Sequence, residues 1–256
     1  MPQIDIRKLI AIARDAGEEI LTVYQREIKI EYKGNRTPLT EADKKSNQLI
    51  KDRLNGLYPE IPLLSEEERE ISYAERKKWE YYWLIDPLDG TKEFIKKNGE
   101  FTVNIALINK NRPVAGVVYA PAMQLLYYAE RGNGCYKQKS DNPPEKIVPS
   151  RAFARETLVI AGSRSHPSED FKQFIRKLTD EHGKVEVLSI GSSLKICLVA
   201  EGKADIYPRL GPTMEWDTAA AHAVANEAGK KILRFHSGGE LVYNKEHLVN
   251  DWFIVK

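Results

Sequence analysis

One stretch constrains this chain more than any other: Trp83-Leu84-Ile85-Asp86-Pro87-Leu88-Asp89-Gly90-Thr91. An apolar run of that kind belongs in a core as a strand, so the acids that follow it are anchored beside the core rather than left loose in solvent. Pro87 fixes its own φ and biases Asp86 to an extended conformation. Gly90 permits a tight turn, after which Thr91 can open a helix. The expectation is a turn directly after the strand, carrying two carboxylates and the Leu88 carbonyl on one side.

Two further stretches end in acid after apolar residues. Leu63-Leu64-Ser65-Glu66 lies upstream, and Trp216-Asp217-Thr218-Ala219-Ala220 opens an Ala-rich helix downstream. Taken singly, each has a plain structural reading. Asp89 can be a helix N-cap, Asp217 likewise, and Glu66 a solvated charge in an acidic run. Taken together they are costly. Three carboxylates converging at ~5 Å in an effective dielectric of ~20 repel by roughly 3 kcal/mol per pair, and three such pairs rival the stability of a domain. A hard divalent cation with oxygen ligands reverses that sign. Asp43 and Thr91 are candidate activators of a water, since a threonine hydroxyl bonded to an aspartate can position one.

The rest of the pattern predicts an α+β half followed by an α/β half. Ile6 to Tyr24 reads as an amphipathic helix. Thr40-Glu41-Ala42-Asp43 resembles a capping start for a helix reaching about Tyr58, and the polar Tyr32 to Pro38 reads as a loop. Strands are expected over Ile61 to Leu64, Tyr82 to Ile85, Phe101 to Ile108, Val114 to Tyr119 and Leu125 to Ala129, joined by short turns as an antiparallel meander. Gln138 to Ser150 contains three prolines and is the boundary candidate, dividing a subdomain of residues 1–150, with most of the acids, from one of residues 151–256 carrying Asp217. Strands at Leu158 to Ala161, Val185 to Ser189, Ala204 to Tyr207 and Ile232-Leu233 then alternate with helices at Ser168 to Thr179, Ser193 to Glu201 and Thr218 to Ala228.

Two turns between a strand and a helix are candidate anion pockets: Gly162-Ser163-Arg164-Ser165-His166 and Gly191-Ser192-Ser193-Leu194-Lys195, where backbone N–H groups and the Lys195 charge converge. Arg209 lies near Asp217 in sequence and could reach the same ligand. His166 is assigned recognition at most, and no Ser/His/Asp arrangement is visible. A net charge of +2 over 256 residues gives no global argument for nucleic-acid binding. The longest uncharged run, Pro113 to Ala129, is broken by prolines and glycine into strands, so no transmembrane segment is expected. Cys135 and Cys197 form no metal-binding spacing and read as buried thiols of a reducing compartment.

These motifs resemble the lithium-sensitive inositol monophosphatase superfamily, over nearly the whole chain. Gly90-Thr91-Lys92-Glu93-Phe94 and Gly202-Lys203-Ala204-Asp205-Ile206-Tyr207-Pro208-Arg209 are similar to its CysQ-type 3′(2′),5′-bisphosphate nucleotidase branch. The resemblance implies a layered αβαβα sandwich with an antiparallel N-terminal sheet, and Mg²⁺ as cofactor (two or three ions). It implies Glu66, Asp86, the Leu88 carbonyl, Asp89 and Asp217 as metal ligands, and Asp43, Thr91 and Glu66 as catalytic. It implies Glu66, Gly90, Thr91, Ser163, His166, Gly191, Ser192, Lys195, Arg209 and Asp217 as substrate contacts. The expected reaction is in-line attack of a metal-activated water on adenosine 3′,5′-bisphosphate, giving AMP and phosphate and clearing a by-product of sulfur metabolism. The alternatives are an inositol monophosphatase or sugar-bisphosphatase with the same centre, and a binding protein on a retired phosphatase scaffold. A small nucleotide bisphosphate is the expected partner, in a cytoplasmic monomer or homodimer without nucleic acid. Peripheral association with the inner face of the cell membrane stays open.

Overall fold

The computed structural model describes residues 2–26, 30–32, 38–68, 70–148, 156–163 and 168–256. In chain order the elements are α1 (Ile6–Tyr24), β1 (Ile30–Tyr32), β2 (Pro38–Thr40), α2 (Glu41–Leu57), β3 (Leu63–Ser65), α3 (Tyr73–Arg76), β4 (Tyr81–Asp89), α4 (Thr91–Ile95), β5 (Thr102–Asn109), β6 (Arg112–Ala120), β7 (Leu125–Glu130), β8 (Gly134–Lys139) and β9 (Glu145–Ile147). There follow β10 (Thr157–Gly162), α5 (Glu169–His182), β11 (Lys184–Ser189), α6 (Leu194–Ala200), β12 (Tyr207–Arg209), α7 (Glu215–Glu227), β13 (Ile232–Arg234) and β14 (Phe253–Val255).

Strands β3 to β9 form one seven-stranded sheet in sequence order. It is antiparallel throughout except that β3 runs parallel to β4. Alternation along the strands sends side chains to both faces. Trp83, Ile85, Val103, Ile105 and Val117 meet α1 and α2 on one side. Leu84, Ala106, Ile108 and Val118 meet α7 on the other. Beyond α6 and α7 lie β10 paired parallel with β11, and the antiparallel set β12-β14-β13, with α5 packed outside β11. The layers run α, β, α, β, α, the expected sandwich. Helix α7 sits in the middle layer, where no face meets water, so its residues Ala219, Ala220, Ala221, Ala223 and Ala225 are all buried. Small side chains let a helix lie close to sheets on both sides.

Helix α1 has the bounds read from its periodicity, and Thr40 with Asp43 forms the capping box that starts α2. The boundary segment is not wholly irregular: β9 lies inside it and closes the sheet edge against β8. The strand expected at Ala204 to Tyr207 is shifted to β12, with Ile206 making only an isolated bridge to Ile160. Strand β14, near the chain end, was not expected, yet it pairs with both β12 and β13. Most of the polar loop between Tyr32 and Pro38 lies outside the described residues. Both cysteines are buried free thiols, and among the described residues no helix is long and apolar enough to cross a membrane.

Candidate active site

The acidic motif does not sit on a turn after the strand. Strand β4 continues through it, and its pairing with β5 shifts register between Asp86 and Asp89. A bulge of this kind re-aims side chains where a strand meets a site. Pro87 can occupy it because the irregularity removes the need for its missing N–H. The Ser46 hydroxyl on α2 donates to the Pro87 carbonyl at 2.7 Å, pinning the bulge. Gly90 then takes φ 91°, a left-handed conformation open to glycine, and caps α4.

Each aspartate has one carboxylate oxygen tethered to nearby backbone. The Leu88 N–H donates to Asp86 Oδ1 at 3.1 Å, and the Ser193 N–H to Asp89 Oδ2 at 2.6 Å. The Met214 N–H donates to Asp217 Oδ2 at 2.9 Å, and the Thr40 N–H to Asp43 Oδ2 at 2.7 Å. Asp86 is 1% exposed and Asp43 2%. Burial, then the charges of Glu66, Asp89 and Asp217, push the Asp86 carboxyl well above the usual carboxylate range. Burial raises Asp89 to about 6, opposed by Lys195 and by the Ser193 N–H. Burial and then the Asp89 charge raise Asp217 to about 8. Burial also raises Asp43, with the Thr40 bonds opposing and Glu66 adding to it. The four aspartates and Glu66 therefore share one electrostatic neighbourhood. Glu66 reaches it because its N–H bonds the Ile85 carbonyl at the end of β3, while Ser65, Asn47 and Glu68 lock that loop to α2.

This donor set fits a hard divalent cation. It offers only oxygens, it is buried, and its charges disfavour one another without a counter-ion. Among the described residues no three such side chains are already closed into a metal cage.

A cavity of about 280 Å³ opens beside the acids, lined by Asp89, Gly90, Ser163, Ser192, Lys195, Arg209 and Asp217. The structure thus gathers seven of the expected site residues at one cavity: Asp89 and Gly90 from the end of β4, Ser163 just after β10, Ser192 and Lys195 from the start of α6, Arg209 from β12 and Asp217 from the first turn of α7. Lys195 is 6% exposed, and burial lowers its ammonium to about 8 despite Asp89. Two polar atoms on the lining residues, Ser192 Oγ and Arg209 Nε, are buried with no hydrogen-bond partner among the described residues, a state that a polar ligand would relieve. A larger concavity of about 710 Å³ lies elsewhere, between Trp79 and Asn244. It holds none of these acids, so chemistry rather than size identifies the site.

Several expected residues lie differently. Leu88, by contrast, is a core residue at 1% exposure, in keeping with a role for its backbone carbonyl alone. Thr91 opens α4 but makes no hydrogen bond to Asp43 among the described residues, Asp43 Oδ2 being taken by the Thr40 N–H and hydroxyl. The Gly191 N–H is not free for an anion: it donates to Glu100 Oε2 at 2.9 Å. A Cβ at Gly191 would sit 2.6 Å from Glu93 Cγ and 2.8 Å from the Glu100 carbonyl, so close approach is why glycine stands there. His166 lies outside the described residues. Sequence reasoning did not single out Thr102, Asn104 or the Ser193 side chain, all buried against Asp89. Thr102 and Asn104, polar residues inside the apolar run that leads to Ile108 in β5, were the available signal.

A layered sandwich with an oxygen-only acid cluster beside a cationic cavity defines a metal-dependent phosphatase scaffold, and comparison assigns it: the chain belongs to the Inositol monophosphatase family, whose profile matches residues 4–252. Among curated proteins it is similar to the 3′(2′),5′-bisphosphate nucleotidase CysQ of Salmonella typhimurium, with 46% identity over 89% of each chain. It is 37% identical to the Haemophilus influenzae protein of that name, over 98% of this chain and 91% of that one. Among solved structures, CysQ from Bacteroides thetaiotaomicron superposes with a TM-score of 0.87 at 45% identity, covering 98% of this chain and 96% of that one. A Thermotoga maritima IMPase follows the same fold with a TM-score of 0.78 at 25% identity, over 98% of this chain and 91% of the other.

Proposed function

We propose that this protein is a Mg²⁺-dependent 3′(2′),5′-bisphosphate nucleotidase that hydrolyses adenosine 3′,5′-bisphosphate to AMP and phosphate. The reading is carried by the cavity in which the acids Asp89 and Asp217 face the cations Lys195 and Arg209. One side suits cations, and the other suits a second phosphate or a sugar. The nucleotidase relatives support the substrate class.

Bound divalent cations would lower the pKa of a water and neutralise charge on the phosphate and leaving oxygens. The chain supplies the rest. Asp86, Asp89, Asp217, Glu66 and the Leu88 carbonyl would hold the ions. Gly90 and Thr91 offer N–H groups at the start of α4 to the reacting phosphate. The Thr91 hydroxyl and the Asp43 carboxylate, which are not bonded to each other among the described residues, would together orient the attacking water for in-line displacement. Lys195 and Arg209 engage the second phosphate or the sugar, with Ser163 and Ser192 beside them on the cavity wall. Residues 1–150 carry most of the metal ligands, and residues 151–256 carry Asp217 and the loops that recognise the rest of the substrate. No protein nucleophile is needed, so no phosphoenzyme forms. The enzyme acts in the cytoplasm.

The test is a phosphate-release panel of adenosine 3′,5′-bisphosphate and inositol 1-phosphate across Mg²⁺ concentrations, with and without Li⁺. Mg²⁺-dependent, Li⁺-inhibited release from the nucleotide is expected. A ten-fold preference for the inositol ester would assign the centre to an inositol monophosphatase. No release at any Mg²⁺ concentration would favour a binding protein.

A further inference from the structure

Strand β5 lies inside the main sheet, where both faces are covered, yet it carries Thr102 at 0% exposure and Asn104 at 1%. Burying two polar side chains in such a strand is costly unless both are fully bonded. Both are bonded, and Ser193 is the partner they share. Ser193, 4% exposed at the start of α6, donates its hydroxyl to Asn104 Oδ1 at 2.9 Å. A hydroxyl has one proton, so the 2.9 Å contact between Thr102 Oγ1 and Ser193 Oγ must run from threonine to serine. The Asn104 amide nitrogen turns to Asp89 Oδ2 at 3.5 Å, and the Ser193 N–H reaches the same oxygen at 2.6 Å. An ionised carboxylate only accepts, which fixes the orientation of the Asn104 amide. The bonds close a ring: Ser193 hydroxyl to Asn104, Asn104 amide to Asp89, Ser193 N–H to Asp89.

We propose that Asn104 and Ser193 are positioning residues that fix the Asp89 carboxylate, committing Oδ2 to the protein and presenting Oδ1 to a divalent cation. The inference rests on the reading of Asp89 as a cation ligand. Two donors on one oxygen remove the rotational freedom of the carboxylate and favour its charged form. The geometry also couples two elements. Asp89 ends β4, while Ser193 begins the helix that carries Lys195, so the ring sets the metal ligand and the substrate-side lysine in one frame. Partners behind a metal ligand typically change metal affinity by about 10-fold or more when removed.

The experiment measures Mg²⁺ binding to the full-length protein by calorimetry, without substrate, for wild type, Asn104→Leu, Ser193→Ala and Asp89→Asn, and for each of the first two variants combined with Asp89→Asn. Asn104→Leu keeps the branched shape of the side chain, at somewhat larger volume, and removes both bonds. Ser193→Ala keeps the backbone donor and removes only the hydroxyl link, so it carries the cycle alone if Asn104→Leu does not fold. About ten-fold weaker Mg²⁺ binding is expected in Asn104→Leu, with a smaller loss in Ser193→Ala. Neither effect should persist in the Asp89→Asn background, because the carboxylate through which they act is gone. Wild-type Mg²⁺ affinity in both single variants, or losses that persist undiminished beside Asp89→Asn, would overturn the inference while leaving Asp89 a ligand. Unchanged binding in Asp89→Asn itself would overturn both the ligand assignment and this inference.

Discussion

Gly116 of β6 and Ala220 of α7 meet backbone to backbone: a Cβ on Gly116 would lie 2.3 Å from the Ala220 carbonyl oxygen and 2.9 Å from its Cα. No flexible side chain can yield there. This contact lets α7 lie flat on the sheet whose β4 carries Asp86 and Asp89, and it thereby sets how far Asp217 stands from them. Gly116→Ala should overpack the layer and cost about 3 kcal/mol, lowering the melting temperature by roughly 6–12 °C for a domain of this size. It should also weaken the Mg²⁺ response, since the start of α7 must move. A thermal melt with and without Mg²⁺ reads both, and a shift under 2 °C would show that the layers have slack.

Asp89→Asn should abolish turnover, by about a thousand-fold or more, because a cation ligand serves several kcal/mol of charge stabilisation. The same change should leave the divalent-free protein as stable as wild type or more so. The sign follows from protonation. Burial raises Asp89 to about 6 and Asp217 to about 8, above their unfolded values near 3.8. Between those values the folded protein holds protons that the unfolded chain has released. Stability without divalent ions should therefore be greatest near the low end and fall as pH climbs through about 6 and about 8. Melting curves from pH 5.5 to 8.5 in chelator should show that fall, and Asp217→Asn should flatten it. Mg²⁺ should stabilise more at pH 8.5 than at 5.5. A large loss of melting temperature in Asp89→Asn would instead make Asp89 structural.

Lys195 is buried beside Asp89 and over the Tyr207 ring, its ammonium 5.7 Å from the ring centroid and 3.3 Å from the Ile190 carbonyl. A charge-assisted bond to a second phosphate is worth about 1.5–3 kcal/mol. Lys195→Met should then raise KM for adenosine 3′,5′-bisphosphate by roughly 10- to 100-fold and lower kcat less. Burial sets the ammonium at about 8, so wild-type affinity should decline above that pH while the variant shows no such decline. Steady-state kinetics from pH 6.5 to 9.5 on both proteins makes the comparison.

The helices and the meander were legible because their signals are local. Helix α1 shows an apolar stripe, and Thr40 with Asp43 shows a capping pair. The acids could be found because each follows apolar residues that anchor it. What stayed hidden depends on partners far apart in the chain. Strand β14 is three residues long and exists because β12 and β13 flank it. The bulge at Asp86 to Asp89 is a matter of register with β5, which no turn rule reports. Gly191 resembled an anion-binding glycine, yet its reason is the nearness of Glu93 and Glu100, about ninety residues away. Asn104 reads as a flaw in a strand until Ser193 and Asp89 are placed beside it.

Glu215 gives the last prediction. It opens α7 two residues before Asp217, is 0% exposed, and accepts from the Asn244 N–H at 2.7 Å, the Lys245 N–H at 3.0 Å and Lys245 Nζ at 2.6 Å. Arg76, itself buried, bonds Asn244 Oδ1 and the Lys245 and Glu246 carbonyls from the other side. The loop between β13 and β14 is thus tied to the helix end that presents Asp217. Lys245 keeps 23% of its side chain exposed, so losing Glu215 chiefly strands the Asn244 and Lys245 N–H groups, at about 1–3 kcal/mol each. Glu215→Ala should lose about that much stability. Glu215→Gln, which keeps an acceptor for one backbone N–H, should lose less. Because the loop steadies the first turn of α7, both variants should also need more Mg²⁺ for half-maximal activity, in the same order. Urea unfolding and a Mg²⁺ titration of phosphate release on the two variants test this, and equal stability of Glu215→Ala and wild type would rule out the clamp.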